Sequence, residues 1–187
     1  MAAAKIMIVR HAEKPSDDGT IRGVAADGAH NPEELIVRGW QRSGALVRLF
    51  APRNGSFVDP HLATPKTIFA SQVAKHSESL RPQHTVLELA TVLGLKLSLG
   101  HVKDDLKGLV ADANAAPGPV LIAWEHQDIP SIVNLITGNQ TSCPQKWPGD
   151  RFDLVWVLDR AGGSGPWSFA QVPQLLLSGD SAQPIAK

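Results

Sequence analysis

The chain has 187 residues, enough for one sizeable hydrophobic core and too few for two independent ones, so a single domain over 1–187 is expected. Lysine plus arginine and aspartate plus glutamate both number 18, so no whole-molecule field argues for nucleic acid, an acidic membrane or a polybasic tail, and any anion recognition must be local. Cys143 is the only cysteine, which excludes an internal disulfide framework and a thiolate-rich metal site and fits a reducing, cytoplasmic setting.

The first predicted element is Ile6-Met7-Ile8-Val9, four apolar residues without alternation, the pattern of a central strand covered on both faces. It is too short, and too soon broken by Arg10, for a signal peptide or membrane span. Its carboxyl end carries Arg10-His11-Ala12-Glu13-Lys14, where open α/β sheets hold their ligands. Residues 14–34, rich in Gly, Asp, Pro and Ala, read as a long loop beside that tip. Trp40, Leu46, Val47 and Phe50 predict a helix over about 38–50, stopped by Pro52.

A second strand is predicted at Thr67-Ile68-Phe69-Ala70-Ser71, followed by a polar loop over 72–80. Val86, Leu89, Ala90 and Leu93 then repeat at helical spacing, with Pro82 suited to the first turn and Gly94 to the stop. Arg81 therefore stands at a helix N-terminus, a favourable place for an anion. Residues 96–99 form a short strand candidate, and Leu106, Leu109, Val110 and Ala113 a further helix. Val120-Leu121-Ile122-Ala123-Trp124 is a third buried strand ending in Glu125-His126-Gln127-Asp128, and a helix follows over about 130–136. An irregular loop over 139–151 leads to two last strands at 152–158 and 167–176, flanking the hairpin signal Gly162-Gly163-Ser164-Gly165-Pro166. Pro173 assigns the final strand to an edge. The alternation of strands and helices predicts an α/β fold, a three-layer α/β/α sandwich around a mostly parallel sheet.

Parallel strands bring the tips carrying Arg10-His11, Ser71 and His126 to one rim, with Arg81 nearby. Two guanidinium groups and two imidazoles converging in this way form an anion pocket, and a phosphoryl group is the anion that best needs one. Histidine acts as a nucleophile when neutral, and a covalent intermediate divides one hard displacement into two easier ones. The other histidines, His76, His84 and His101, read as solvated or capping residues, and the tryptophans as packing.

Arg10-His11-Ala12-Glu13, Ser71, Arg81 with Thr85, and His126 after an apolar strand together resemble the histidine phosphatase superfamily, whose fold is phosphoglycerate mutase-like. The resemblance implies that His11 attacks phosphorus to form a phosphohistidine. It implies that Arg10 and Arg81 hold the phosphoryl oxygens, and that His126 completes the pocket. Leu35, Gly39 and Arg42 look like the family's leucine, glycine and polar residue on the first helix, with a packing role, and Ser71 shapes its strand tip. No metal or other cofactor is implied.

Several positions depart from the pattern. Ala12 stands for the commoner glycine, Lys14-Pro15 lacks the serine and asparagine of the mutases, Gln72 replaces a proline, and Arg81 arrives late after an expanded loop.

The reading is a phosphatase of a small phosphomonoester, without nucleic-acid or membrane partners. The alternative is a noncatalytic phosphate-binding or regulatory module that keeps the pocket. For the proton donor to the leaving group, the family supplies a carboxylic acid downstream of the second arginine. That ranks Asp104 and Asp105 first, Asp128 second, each with a helix cap as its other role, and Glu125 third, because strand alternation aims Glu125 away from the face used by His126, although alternation often fails at a strand's last residue.

Overall fold

A computed structural model describes residues 3–160 and 165–187. In chain order the elements are β1 (Lys5–Arg10), α1 (Val37–Phe50), β2 (Thr67–Ala70), α2 (Arg81–Leu93), β3 (Leu97–Ser98), α3 (Leu106–Ala115), β4 (Val120–Trp124), α4 (Ile129–Thr137), β5 (Leu154–Asp159) and β6 (Ser168–Pro173). They form one six-stranded sheet in the order β3-β2-β4-β1-β5-β6. β1, β2, β3 and β4 pair in parallel, while β5 runs antiparallel to β1 and β6 antiparallel to β5. The mostly parallel sheet and the edge position of β6 are as the sequence predicts. Most of the predicted hairpin turn, residues 161–164, lies outside the described residues.

Ile6, Met7, Ile8 and Val9 are fully buried because β1 is hydrogen-bonded on both edges and covered on both faces. Ile6 and Ile8 pack with Val120, Ile122 and Trp124 against α3 and α4, in a cluster that includes Leu109, Ile132 and Val133. Met7 and Val9 pack with Leu121 and Ala123 against α1 and α2, through Leu46, Phe50, Val86 and Leu89. Each such side chain is worth roughly 1.5–3 kcal/mol of burial, so the two clusters fix the layers and the register.

Proline and glycine bound two of the helices. Pro82 in the first turn of α2 gives up an N–H that has no helical partner, and Gly94 at φ 66° closes its last turn by donating to Ala90 and Thr91. Pro130 and Gly138 do the same for α4. The chain leaves β1 for the α1/α2 face and leaves β4 for the α3/α4 face. These neighbouring strands therefore open a crevice between their carboxyl ends, the switch point of the sheet.

Candidate active site

His11 follows directly after β1, and its backbone N–H donates to the Trp124 carbonyl, 3.0 Å away, continuing the ladder to β4 by one residue. Its ring is buried, with Nδ1 2.7 Å from the Ala12 carbonyl oxygen. A carbonyl only accepts, so Nδ1 carries the proton and Nε2 keeps its lone pair. Burial first, then the charge of Arg10, lowers the His11 pKa to about 3, with Arg81 and His126 acting in the same direction. The ring is therefore neutral at pH 7, the state a nitrogen nucleophile needs.

Arg10, the last residue of β1, is 1 % exposed. Nη1 donates to the carbonyls of Gly149 at 2.7 Å and Arg151 at 2.9 Å, and more weakly to Pro148 at 3.3 Å, while Cζ stacks 3.7 Å over the Phe152 ring. One edge of the fork is thus fixed by the loop before β5. The remaining nitrogens, Nε and Nη2, are buried and meet no acceptor in the protein. Burial lowers the Arg10 pKa to about 10, against the pull of Asp150 and Glu13, so the group stays charged at neutral pH. A buried guanidinium with an unanswered edge has two donors free for a planar or tetrahedral oxyanion.

Arg81 repeats the arrangement at the start of α2. Nη1 donates to the Pro32 carbonyl at 3.0 Å and lies 3.7 Å from Glu33, while Nε is buried without a partner. Thr85, one turn later, locks this helix to the β1 tip: its Oγ1 donates to the Arg81 carbonyl and accepts from the Ala12 N–H, both at 2.7 Å. The arginine-to-threonine spacing seen in the sequence is therefore a mechanical link between the two halves of the pocket.

His126 lies two residues beyond β4, half-buried, with its pKa lowered to about 4 by burial and then by Arg10 and Lys14. Glu125, beside it, accepts from Ser71 Oγ at 3.2 Å through Oε1, while Oε2 is buried and unpartnered. Burial raises its pKa, with Asp128 adding to the shift.

Behind the pocket sits a buried ion cluster. Glu13 accepts from Arg42 Nε at 3.1 Å and Nη2 at 2.8 Å, and Arg42 also reaches Asp180 at 2.8 Å and Gln174 at 2.8 Å. Arg38 adds a 3.1 Å contact to Glu13, and Asp180 accepts from the Leu176 and Leu177 N–H groups. Burial alone would weaken the Arg42 charge, but Asp180 and Glu13 raise its pKa above the ordinary guanidinium value. Gly39 presses α1 against the same segment, since a Cβ there would lie 2.7 Å from the Glu13 carbonyl oxygen.

The structure thus gathers Arg10, His11, Arg81 and His126, and Arg10, Arg81 and His126 all bear electrostatically on His11. It does not bring Asp105 to them in a form able to donate a proton. That carboxylate caps α3 by accepting from the Gly108 N–H at 3.0 Å, lies 2.8 Å from His101, is exposed and has its pKa lowered, by His101 first. Asp104 is exposed as well. Asp128 stands at the N-cap of α4 but makes no side-chain cap bond, so the capping role read from its position is corrected. His84 pairs with Glu34 at 2.7 Å and His101 bridges Asp105 and Asp112, while His76 is exposed. Arg42, expected to pack, is instead the centre of an ion cluster. The like charges of Arg38 and Arg42 at i, i+4 on one helix face, which repel unless carboxylates answer them, are the signal that could have found it. Nothing local marked Phe152 or the carbonyls of 148–151.

Among the described residues, no group of three or more His, Cys, Asp or Glu side chains is placed to hold a metal ion, and no helix is long and apolar enough to cross a membrane.

No protein-family model and no curated protein sequence matches the chain. Solved structures do match. A candidate alpha-ribazole-5'-P phosphatase from Escherichia coli K-12 aligns over 89 % of this chain and 93 % of its own, at 10 % identity and a TM-score of 0.55. A candidate phosphohistidine phosphatase from Agrobacterium tumefaciens aligns over 86 % and 94 %, at 16 % identity and a TM-score of 0.51. A mycobacterial glucosyl-3-phosphoglycerate phosphatase, solved with inorganic phosphate, aligns over 90 % and 95 %, at 13 % identity and a TM-score of 0.51. These are histidine phosphatase superfamily structures, and at such identities the shared property is the fold.

Proposed function

We propose that this chain, which has the phosphoglycerate mutase-like fold of the histidine phosphatases, is a metal-independent phosphatase that hydrolyses a small phosphomonoester through a phosphohistidine on His11. The observation that carries the reading is a buried, neutral imidazole whose Nδ1 is tied to the Ala12 carbonyl, in a pocket with two guanidinium groups that each keep at least one buried nitrogen without a partner. The complex of the mycobacterial structural neighbour with inorganic phosphate agrees with an anion of this class. The single buried cysteine fits a cytoplasmic enzyme.

In this reading a phosphoryl group binds with its oxygens on Arg10 Nε and Nη2 and on Arg81 Nε. His11 Nε2 attacks phosphorus in line with the departing oxygen. The transition state spreads negative charge over the phosphoryl oxygens, and donors already held in place by Gly149, Arg151 and Phe152 on one side and Pro32 on the other need no reorganisation to meet it. The two fixed guanidinium charges and the His126 donor supply what an electrophilic metal would otherwise contribute. His126, neutral at pH 7, donates a hydrogen bond to the transferring group. Water then attacks the phosphohistidine and releases orthophosphate.

The test is turnover of an aryl phosphate by the purified protein with chelator present, alongside His11→Ala. Wild-type hydrolysis, acid-labile phosphorylation of the protein and loss of both in a folded His11→Ala protein are expected. Phosphate binding without any turnover by the wild type would instead establish a noncatalytic phosphate-binding module.

A further inference from the structure

A departing alkoxide needs a proton, and the pocket's four principal residues do not supply one. The guanidinium groups of Arg10 and Arg81 do not deprotonate in proteins at working pH. His126, with its pKa lowered to about 4, holds only the weakly acidic proton of a neutral ring at pH 7. Asp105 is held as an anion by the α3 cap and His101, and Asp104 is exposed.

Glu125 differs from these. It stands between the last residue of β4 and His126, where its backbone carbonyl accepts from the Asp128 N–H at 3.1 Å and the Ile129 N–H at 3.3 Å. Ser71, at the tip of the adjacent parallel strand β2, holds one carboxyl oxygen at 3.2 Å and leaves the other, Oε2, buried without a donor or acceptor. Ser71 is itself held, since its carbonyl accepts from Gln83 Nε2 of α2 at 3.0 Å. The carboxyl lies near enough to Arg81 to act on its charge, and the Arg81 Nε is likewise buried and unpartnered. A carboxyl with one oxygen anchored and one buried oxygen unanswered, beside an arginine in the same condition, is placed to share a ligand with it.

On the reading of the chain as a phosphatase, we propose that Glu125, and not Asp104 or Asp105, is the catalytic acid that protonates the leaving oxygen. In the first half-reaction the bond from His11 Nε2 to phosphorus forms and the bond from phosphorus to the leaving oxygen breaks. The electron pair stays on that oxygen, which takes the proton from Glu125 Oε2, and a carboxylate remains. In the second half-reaction this carboxylate accepts a proton from the water that attacks phosphorus. The N–P bond breaks, and orthophosphate, neutral His11 and protonated Glu125 are restored. The environment of the carboxyl favours the protonated starting form: burial and Asp128 of the α4 N-cap raise its pKa, while Ser71 of the β2 tip and Lys103, ahead of α3, oppose them. Strand alternation predicted that Glu125 would face away from the site. That rule weakens at the last residue of a strand, and here the chain has already turned toward α4.

The experiment compares Glu125→Gln, Asp128→Asn and the Asp104→Asn/Asp105→Asn double variant with wild type. Each is assayed on p-nitrophenyl phosphate and on an alkyl phosphate such as β-glycerophosphate. Glutamine keeps the acceptor for Ser71, so a folded protein is expected, and circular dichroism with a thermal melt checks it. Glu125→Gln should lose roughly 10²–10⁴-fold in turnover of the alkyl phosphate. It should retain a near-wild-type burst of p-nitrophenolate, a leaving group that hardly needs a proton, and then accumulate phosphoprotein because the base for the second step is gone. The alkaline limb of the alkyl-phosphate kcat profile should disappear in the same variant. Equal loss on both substrates, or leaving-group dependence in Asp128→Asn or the double variant instead, overturns the assignment of Glu125 and leaves the phosphatase reading standing. A wild type inactive on both substrates removes both.

Discussion

The Nδ1 atom of His11 and the carbonyl oxygen of Ala12, the next residue, are 2.7 Å apart. This one contact sets the tautomer of the ring and leaves Nε2 as its only nucleophilic atom. It is also local, formed between adjacent residues just past β1, so it is in place before any ligand arrives.

The pH behaviour of the two pocket histidines follows from their surroundings. Both have pKa values depressed below the ordinary histidine value, to about 3 for His11 and about 4 for His126. Corrected for the second ionisation of the substrate phosphate near pH 6, kcat/KM should not fall between pH 7 and 5 through imidazole protonation. Nitrogen-15 NMR of the rings should show His11 as the Nδ1–H tautomer without titration in that range. Stability moves the other way from a charged-histidine case. The unfolded chain takes up these protons below about pH 6.5 while the folded chain refuses them, so the contribution is full above that pH and is lost as pH falls toward 3. A His11 titration midpoint near 6.5 would falsify this account.

Substitution Arg81→Ala should weaken inhibition by phosphate or vanadate by roughly 10- to 100-fold, the worth of a charge-assisted hydrogen bond of about 1.5–3 kcal/mol. Lys75→Ala should change it by less than about twofold, since Lys75 is exposed in the preceding loop. Inhibition constants for the two proteins decide the matter, and equal losses would mean that the wrong cation has been assigned to the pocket.

Arg42→Ala should destabilise the fold by about 3–5 kcal/mol, because it leaves the carboxylates of Glu13 and Asp180 buried and unpaired. Arg38→Ala, removing a partner that is 41 % exposed, should cost less than about 1 kcal/mol. Urea unfolding of the two variants measures both. Comparable costs would show that the cluster does not depend on Arg42.

Gly39→Ala should disturb the site from behind. Its Cβ would fall 2.7 Å from the Glu13 carbonyl oxygen and 3.1 Å from the Glu13 nitrogen, so backbone must move, at a cost of roughly 1–3 kcal/mol. The displaced segment carries His11 two residues earlier, so kcat should fall as well. Gly44→Ala, on the same helix with open space around it, should leave activity unchanged and add up to about 1 kcal/mol of stability. Full activity in Gly39→Ala would show that the β1 tip does not rely on this contact.

The sequence by itself determined the layers and the rim. Ile6 to Val9 and Val120 to Trp124 announce buried strands, and helical spacing with Pro82 and Gly94 marks α2, because these depend on residues within a turn or two of one another. The strand–helix alternation then implies parallel strands, whose tips bring Arg10, His11 and His126 to one edge. Tertiary structure decided what each polar group does once there. Arg10 is aimed by carbonyls 139 and 141 residues away, Glu13 is held through Arg42 to Asp180, and Glu125 is anchored by Ser71 from another strand. The partners of a buried charge are set by which segments the core brings together, and periodicity carries no record of that. Asp105 illustrates the limit: its position fits an acid, but the nearest backbone donor, the Gly108 N–H, and His101 engage it first.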